Sequence, residues 1–135
     1  RATQFARNFQ TYYEGSQENV LGIAQIETRE SLHHLEEIAH VPGIDVLFIG
    51  PADLSMELGI FGQFDHPMFI DALGRTIAAA NKAGKATGIL FFNPDDYGKY
   101  HQMGIRFIAC GADGTFVAEG AKNMAEKLAQ FRAAL

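Results

Sequence analysis

Glu27 stands directly after an apolar run, Val20 to Ile26, and Asp53 follows a second run, Val46 to Ile49, across the turn Gly50-Pro51-Ala52. Runs of this length and composition read as strands buried on both faces, as in parallel sheets. Two acids at the same end of adjacent parallel strands, which lie about 4.8 Å apart, can share a divalent cation. Mg²⁺ takes one or two protein carboxylates and leaves its other positions to water and substrate oxygens, and such an ion acts as a Lewis acid on a carbonyl. The same residues also have a purely structural reading. Glu27 then caps the next helix or pairs with Arg29, and Asp53 is a turn or N-cap residue, since acids are common at helix starts. Spacing alone leaves both readings open.

Ala52 and Asp53 stand where a helix begins, so their backbone N–H groups could receive an anion such as a carboxylate. An ordinary cap is the other reading. Gln25 is polar within an otherwise apolar strand: it either points into a central cavity as a donor to a ligand or satisfies a buried backbone group. His33 and His34 fall mid-helix, His40 and His66 flank loops, and His101 lies near a helix C-terminus, where a cation is favourable. None forms a ligand arrangement with a strand-end acid, so surface or capping roles are expected. Cys110 reads as a small buried hydrophobe within a strand. Gly111-Ala112-Asp113-Gly114 is too short for a dinucleotide fingerprint, and no Walker-type phosphate loop occurs.

The elements that must position these residues alternate. Ala2, Phe5, Ala6, Phe9, Tyr12 and Tyr13 suggest an amphipathic leading helix over 1–13, and a polar stretch separates it from the first strand. Thr28 can cap a helix with the stripe Leu32, Leu35, Ile38 and Ala39, ending before Pro42-Gly43. After the strand Val46 to Ile49 and a loop with Gly59 and Gly62, Asp65 is the expected N-cap of a helix with Pro67 in its first turn. That helix carries Phe69, Ala72, Leu73, Ile77 and Ala80 on one face and stops at Gly84. Thr87 to Phe92 is the third strand, Asn93-Pro94 opens a short helix closed by Gly104, and Arg106 to Cys110 is the fourth strand. Ala121, Met124, Ala125, Leu128 and Phe131 mark a final helix from about Glu119. The reading is one segment, 1–135, with four strand-helix units over 20–118 and a C-terminal helix over 119–135. Such alternation argues for an α/β fold with parallel strands and right-handed crossovers, in which ligands bind at the carboxyl ends of the strands.

Composition narrows the function classes. The chain has 135 residues, 47% of them hydrophobic, which suffices for an ordinary core. Sixteen acids against eleven bases give a net charge of −5, which argues against a polyanionic partner such as nucleic acid. One cysteine cannot form an internal disulfide or a zinc cluster, and no signal peptide or membrane-spanning run is visible. A reducing, cytoplasmic setting without a membrane is therefore expected. The length also falls short of the roughly 200 to 250 residues of a complete eight-stranded α/β barrel.

Three stretches sharpen this. Gln25-Ile26-Glu27-Thr28-Arg29-Glu30, Pro42-Gly43-Ile44-Asp45 and Phe48-Ile49-Gly50-Pro51-Ala52-Asp53-Leu54-Ser55, in this order and spacing, resemble the HpcH/HpaI aldolase family. These are the metal-dependent class II pyruvate aldolases, which include 2-keto-3-deoxy sugar-acid aldolases and macrophomate synthase. The likeness continues through Gly84-Lys85 and Gly111-Ala112-Asp113 to the end, and Arg1-Ala2 looks like the family's segment after its fourth strand. The resemblance implies the C-terminal half of a (β/α)8 barrel of the TIM type. It implies that Glu27 and Asp53 bind a divalent metal (Mg²⁺, Mn²⁺ or Co²⁺). Ala52 and Asp53 then offer backbone amides to a pyruvate carboxylate, and Gln25 contacts substrate and orients it or a water as a catalytic residue. It also implies a homo-oligomer in which C-terminal helices are exchanged between subunits.

The implied activity is that of a carbon–carbon lyase, cleaving or forming a bond of a 4-hydroxy-2-oxo acid through a pyruvate enolate. Oxaloacetate decarboxylation would use the same enolate. The family's catalytic arginine and histidine come from the first half of the barrel and have no match here, so this segment alone is expected to be inactive without the N-terminal half. A non-catalytic half-barrel that keeps the metal and 2-oxo-acid site as a binding or assembly module is the alternative. A flavodoxin-like sheet unrelated to aldolases is a third reading, which would gain ground if Glu27 and Asp53 lay far apart or on opposite ends of their strands.

Overall fold

The computed structural model describes residues 4–133. Among these residues four strands form one parallel sheet: β1 (Ile23–Ile26), β2 (Val46–Ile49), β3 (Ala86–Phe91) and β4 (Phe107–Cys110). Their order in the sheet is their order in the chain. A flavodoxin-like sheet reverses direction at a switch point, whereas consecutive order is that of a barrel wall. In register, Ile26 faces Ile49, Ile49 faces Ile89 and Phe91 faces Cys110, so the carboxyl ends of neighbouring strands lie side by side. This is four units' worth of a (β/α)8 barrel.

Helices α1 (Phe9–Glu14) and α2 (Ser16–Asn19) precede the sheet. Helices α3 (Arg29–His33) and α4 (Leu35–Ala39) follow β1, and α5 (Pro51–Glu57) and α6 (Pro67–Lys82) follow β2. A 3₁₀ turn (Pro94–Asp96) and α7 (Tyr97–Gln102) follow β3, and α8 (Asp113–Ala133) follows β4.

The core lies between the sheet and the outer helices. Leu47, Ile49, Ile26 and Ile89 point outward from the strands and are fully buried beneath Phe69, Leu73, Ala80 and Leu54. Alternation along each strand sends Gln25, Phe48, Leu90 and Phe107 to the opposite face. That inner face is half-covered at best: Phe48 and Phe107 meet edge to face at 6.0 Å and remain partly exposed. A barrel wall whose inner face is open has its second hydrophobic layer still to be supplied.

Several elements differ from the sequence-based expectation. The leading helix is confined to Phe9–Glu14, preceded by turns in which Gln4, Phe5 and Ala6 have positive φ, and it buries none of its residues. A short helix without packing gains too little to extend. Ala2 and Leu135, assigned to the first and last helices, lie outside the described residues. The first strand starts at Ile23, with Val20 and Leu21 exposed before it. The single helix after Thr28 is two, broken at His34, though Leu32, Leu35 and Ala39 are buried as the stripe required. Asp65 is not the N-cap of α6. His66 is, its Nδ1 accepting from Met68 N–H, while Asp65 pairs with Lys99. The last helix starts at Asp113 rather than Glu119, running straight through Gly114 and Gly120. Cys110 is exposed, because its position on β4 lies at an open edge of the sheet that no further strand covers.

Candidate functional site

Glu27 is the residue directly after β1, and Asp53 stands in the first turn of α5, just beyond β2. The two strands end in register, and Gly50 N–H donates to the Ile26 carbonyl at 3.2 Å, so the segments that leave them start together. Both acids line one shallow depression of about 280 Å³, together with Thr28, Met56 and Glu57. The structure thus brings Glu27 and Asp53 to one site.

The capping and pairing readings of Glu27 do not hold, whereas Asp53 does stand in the first turn of α5, where an acid is favourable. Thr28, not Glu27, caps α3: its Oγ1 accepts from Ser31 N–H at 3.0 Å, and Ser31 Oγ accepts from Thr28 N–H at 3.1 Å. Arg29 does not pair with Glu27; its Nε donates to the Glu57 carbonyl at 3.0 Å, placing a cation at the C-terminus of α5. Asp53 is the third residue of α5, whose N-cap is Gly50, and makes no side-chain cap. Among the described residues neither acid has a basic partner, and the Asp53 carboxylate accepts no hydrogen bond.

Gln25 stands on β1 two residues before Glu27. Its Nε2 donates to Glu27 Oε2 at 2.7 Å, so the amide serves a side-chain carboxylate rather than a buried backbone group. Ala52 and Asp53 are exposed in the first turn of α5, where the first amides of a helix have no intrahelical acceptor.

One residue of this neighbourhood, Glu57, escaped the sequence reading, and Arg29 has another role than the expected one. Glu57 lines the same depression as Asp53, and the only signal for it was the i, i+4 spacing on a helix too short to show periodicity. Arg29 ties α3 to the end of α5 and so braces the two segments that carry the acids. The histidines stay apart from the site, in line with the sequence reading. His34 pairs with Glu37 at 3.0 Å, His40 Nδ1 donates to the Glu36 carbonyl at 2.6 Å, and His101 stacks on Tyr97.

Size does not single out this depression. Grooves of about 310 and 400 Å³ lie on the outer face between α3, α4 and α6, lined by Leu32, His33 and Arg75 among others. They lack the converging acids that the smaller depression has. Its donors suit a hard divalent cation, which binds oxygen and needs only one or two protein carboxylates. Among the described residues no group of three or more His, Cys, Asp or Glu side chains is placed to hold an ion together, although Glu57 lines the depression beside the pair.

Comparison with known proteins agrees with this geometry. A profile of the HpcH/HpaI aldolase/citrate lyase family matches residues 2–120. The 4-hydroxy-2-oxo-heptane-1,7-dioate aldolase of Shigella sonnei is 38% identical over 116 residues, covering 86% of this chain and 44% of that protein. The Salmonella arizonae aldolase of the same name is 43% identical over 105 residues, covering 78% and 40%. Among solved structures, an HpcH/HpaI aldolase/citrate lyase family protein from Burkholderia cenocepacia superposes with a TM-score of 0.77 at 31% identity, over 91% of this chain and 48% of that one. Macrophomate synthase superposes with a TM-score of 0.68 at 27% identity, over 91% and 42%. The chain therefore spans less than half the length of these relatives. With four barrel units in sequential order, paired acids at the ends of β1 and β2, and this matched stretch, the chain is a member of the HpcH/HpaI aldolase/citrate lyase family.

Proposed function

We propose that this chain is the C-terminal half of a metal-dependent pyruvate aldolase, which cleaves or forms the carbon–carbon bond of a 4-hydroxy-2-oxo acid. The observation that carries the reading is the meeting of Glu27 and Asp53 in one depression, each without a protein cation to neutralise it. A divalent ion bound there (Mg²⁺, Mn²⁺ or Co²⁺) would supply Lewis-acid stabilisation of the negative charge that develops on the keto oxygen of a 2-oxo acid.

The chain's own residues do the rest of the positioning. The amides of Ala52 and Asp53 receive the substrate carboxylate at the start of α5, where partial positive charge favours an anion. Gln25 holds Glu27 with one amide hydrogen and has a second to offer a substrate oxygen or a water. Removal of the 4-hydroxyl proton as the aldehyde departs, and return of a proton to the enolate carbon, fall to groups of the N-terminal half, which would also close the inner face now lined by Phe48 and Phe107. Further copies of the chain complete the assembly through α8, whose apolar residues Phe116, Val117, Met124, Leu128 and Phe131 are all exposed on this chain.

The test is release of pyruvate from a 4-hydroxy-2-oxo acid by the complete barrel with Mg²⁺, Mn²⁺ or Co²⁺. Turnover is expected with the metal and is expected to disappear in Glu27→Gln and in Asp53→Asn. Activity that survives both substitutions would sink the reading, and metal binding without pyruvate release would mark a binding module instead.

A further inference from the structure

Gly50 has an ordinary backbone conformation, φ −87° and ψ 93°, which any residue adopts, so its lack of a side chain is not explained by the turn it makes. Space explains it. A Cβ at this position would stand 2.8 Å from Gln25 Nε2, 3.2 Å from Glu27 Oε2 and 3.4 Å from Glu27 Cβ. The backbone there cannot retreat, since Gly50 N–H donates to Ile26 and the Gly50 carbonyl accepts from Leu54 N–H at 2.9 Å to open α5. Any side chain must therefore displace Gln25 and crowd Glu27.

We infer that Gly50 is a positioning residue for the candidate cation site: the empty space beside it is what lets the Gln25 amide hold the Glu27 carboxylate in one orientation. The inference rests on the reading that Glu27 and Asp53 bind a divalent cation, and it adds a residue of β2's end to a site otherwise credited to side chains. The group that would be hit is the tip of a flexible side chain. An alanine here is thus absorbed by rotating Gln25 away, which spares the fold and removes the 2.7 Å bond to Glu27. Partners that orient a metal-binding carboxylate or histidine typically control metal affinity by 10- to 100-fold, although they never touch the ion.

Mn²⁺ titration of the complete barrel, read from the electron paramagnetic resonance signal of free ion, tests this alongside melting temperatures. Gly50→Ala is expected to melt close to wild type and to bind Mn²⁺ about 10-fold more weakly or worse. Gln25→Ala is expected to weaken binding similarly, and the double variant to be no weaker than Gln25→Ala, since both changes remove one interaction. Wild-type Mn²⁺ affinity in Gly50→Ala, or a double variant as weak as the two losses multiplied, overturns the inference while leaving the cation site standing. Undiminished binding in Glu27→Gln overturns the cation reading itself and this inference with it. Should Gly50→Ala fail to fold, adding Gln25→Ala is expected to restore folding, and failure to do so counts against the inference.

Discussion

Asp45 and Gly22 clamp the amino ends of β1 and β2 together: the Asp45 carboxylate accepts from Gly22 N–H at 2.8 Å, while the Gly22 carbonyl accepts from Asp45 N–H at 2.7 Å and Val46 N–H at 3.1 Å. This fixes the register that later delivers Glu27 and Asp53 to one place. Gly22 also passes so close to the preceding turn that a Cβ would lie 1.8 Å from the Gly43 carbonyl oxygen, a backbone atom with nowhere to go. Gly22→Ala is therefore expected to destabilise the complete barrel by about 3 kcal/mol or more. Gly74→Ala, in the exposed middle of α6 with open space around it, is expected to raise stability by about 0.5 to 1 kcal/mol. Denaturant unfolding of the two variants checks the contrast, and equal effects would refute it.

The capping box of Thr28 and Ser31 starts α3 one residue after Glu27. Thr28→Ala removes the acceptor for Ser31 N–H and is expected to cost about 1 kcal/mol. Urea unfolding midpoints measure it.

Two groups make the fold sensitive to alkali. Hydrogen bonding to Asp65 holds the Lys99 ammonium above its usual range, against a smaller opposing effect of burial. Burial pushes the Tyr100 phenol upward, against the nearby charge of Lys99. Both folded-state values are raised, so the stability they contribute is complete below the unfolded values and is lost as pH rises through the folded ones, which places the window above about pH 10. Melting temperature is expected to fall across that window. The fall should be shallower in Tyr100→Phe, and an unchanged slope there would remove Tyr100 from the account.

Leu128 and Phe131 on α8 are 57% and 71% exposed, a large apolar surface for a helix end that none of the other described residues covers. If α8 docks onto a second copy, Leu128→Glu with Phe131→Glu is expected to shift the complete enzyme to a smaller species in light scattering. No change in mass would separate α8 from the assembly.

The sequence was most legible where burial imposes a pattern. Val46 to Ile49 reads as a strand because both its faces are apolar, and Phe69, Ala72, Leu73, Ile77 and Ala80 fall on one side of α6 because the helix repeats every 3.6 residues. The acids were legible only as a pair: either one alone is an ordinary helix-start residue, and the resemblance across three motifs made them stand out. What stayed hidden depends on contacts between elements. Gly114 looks like a loop residue, yet α8 runs through it. Lys99 takes Asp65 away from its expected capping role across 34 positions of sequence. Gly50 looks like a turn glycine and is one required by space, which only the nearby ends of Gln25 and Glu27 reveal.

Strand order that follows chain order also sets a timetable. Each strand finds its partner in the strand made just before it, so no pairing waits for a distant segment and loop closure is kept short. The wall can grow one unit at a time as the chain emerges during synthesis. Glu27 directly follows β1 and Asp53 lies just beyond β2, so the acids that would hold the cation hang on the first pair of strands this segment can form and need neither β3 nor β4 to be brought together.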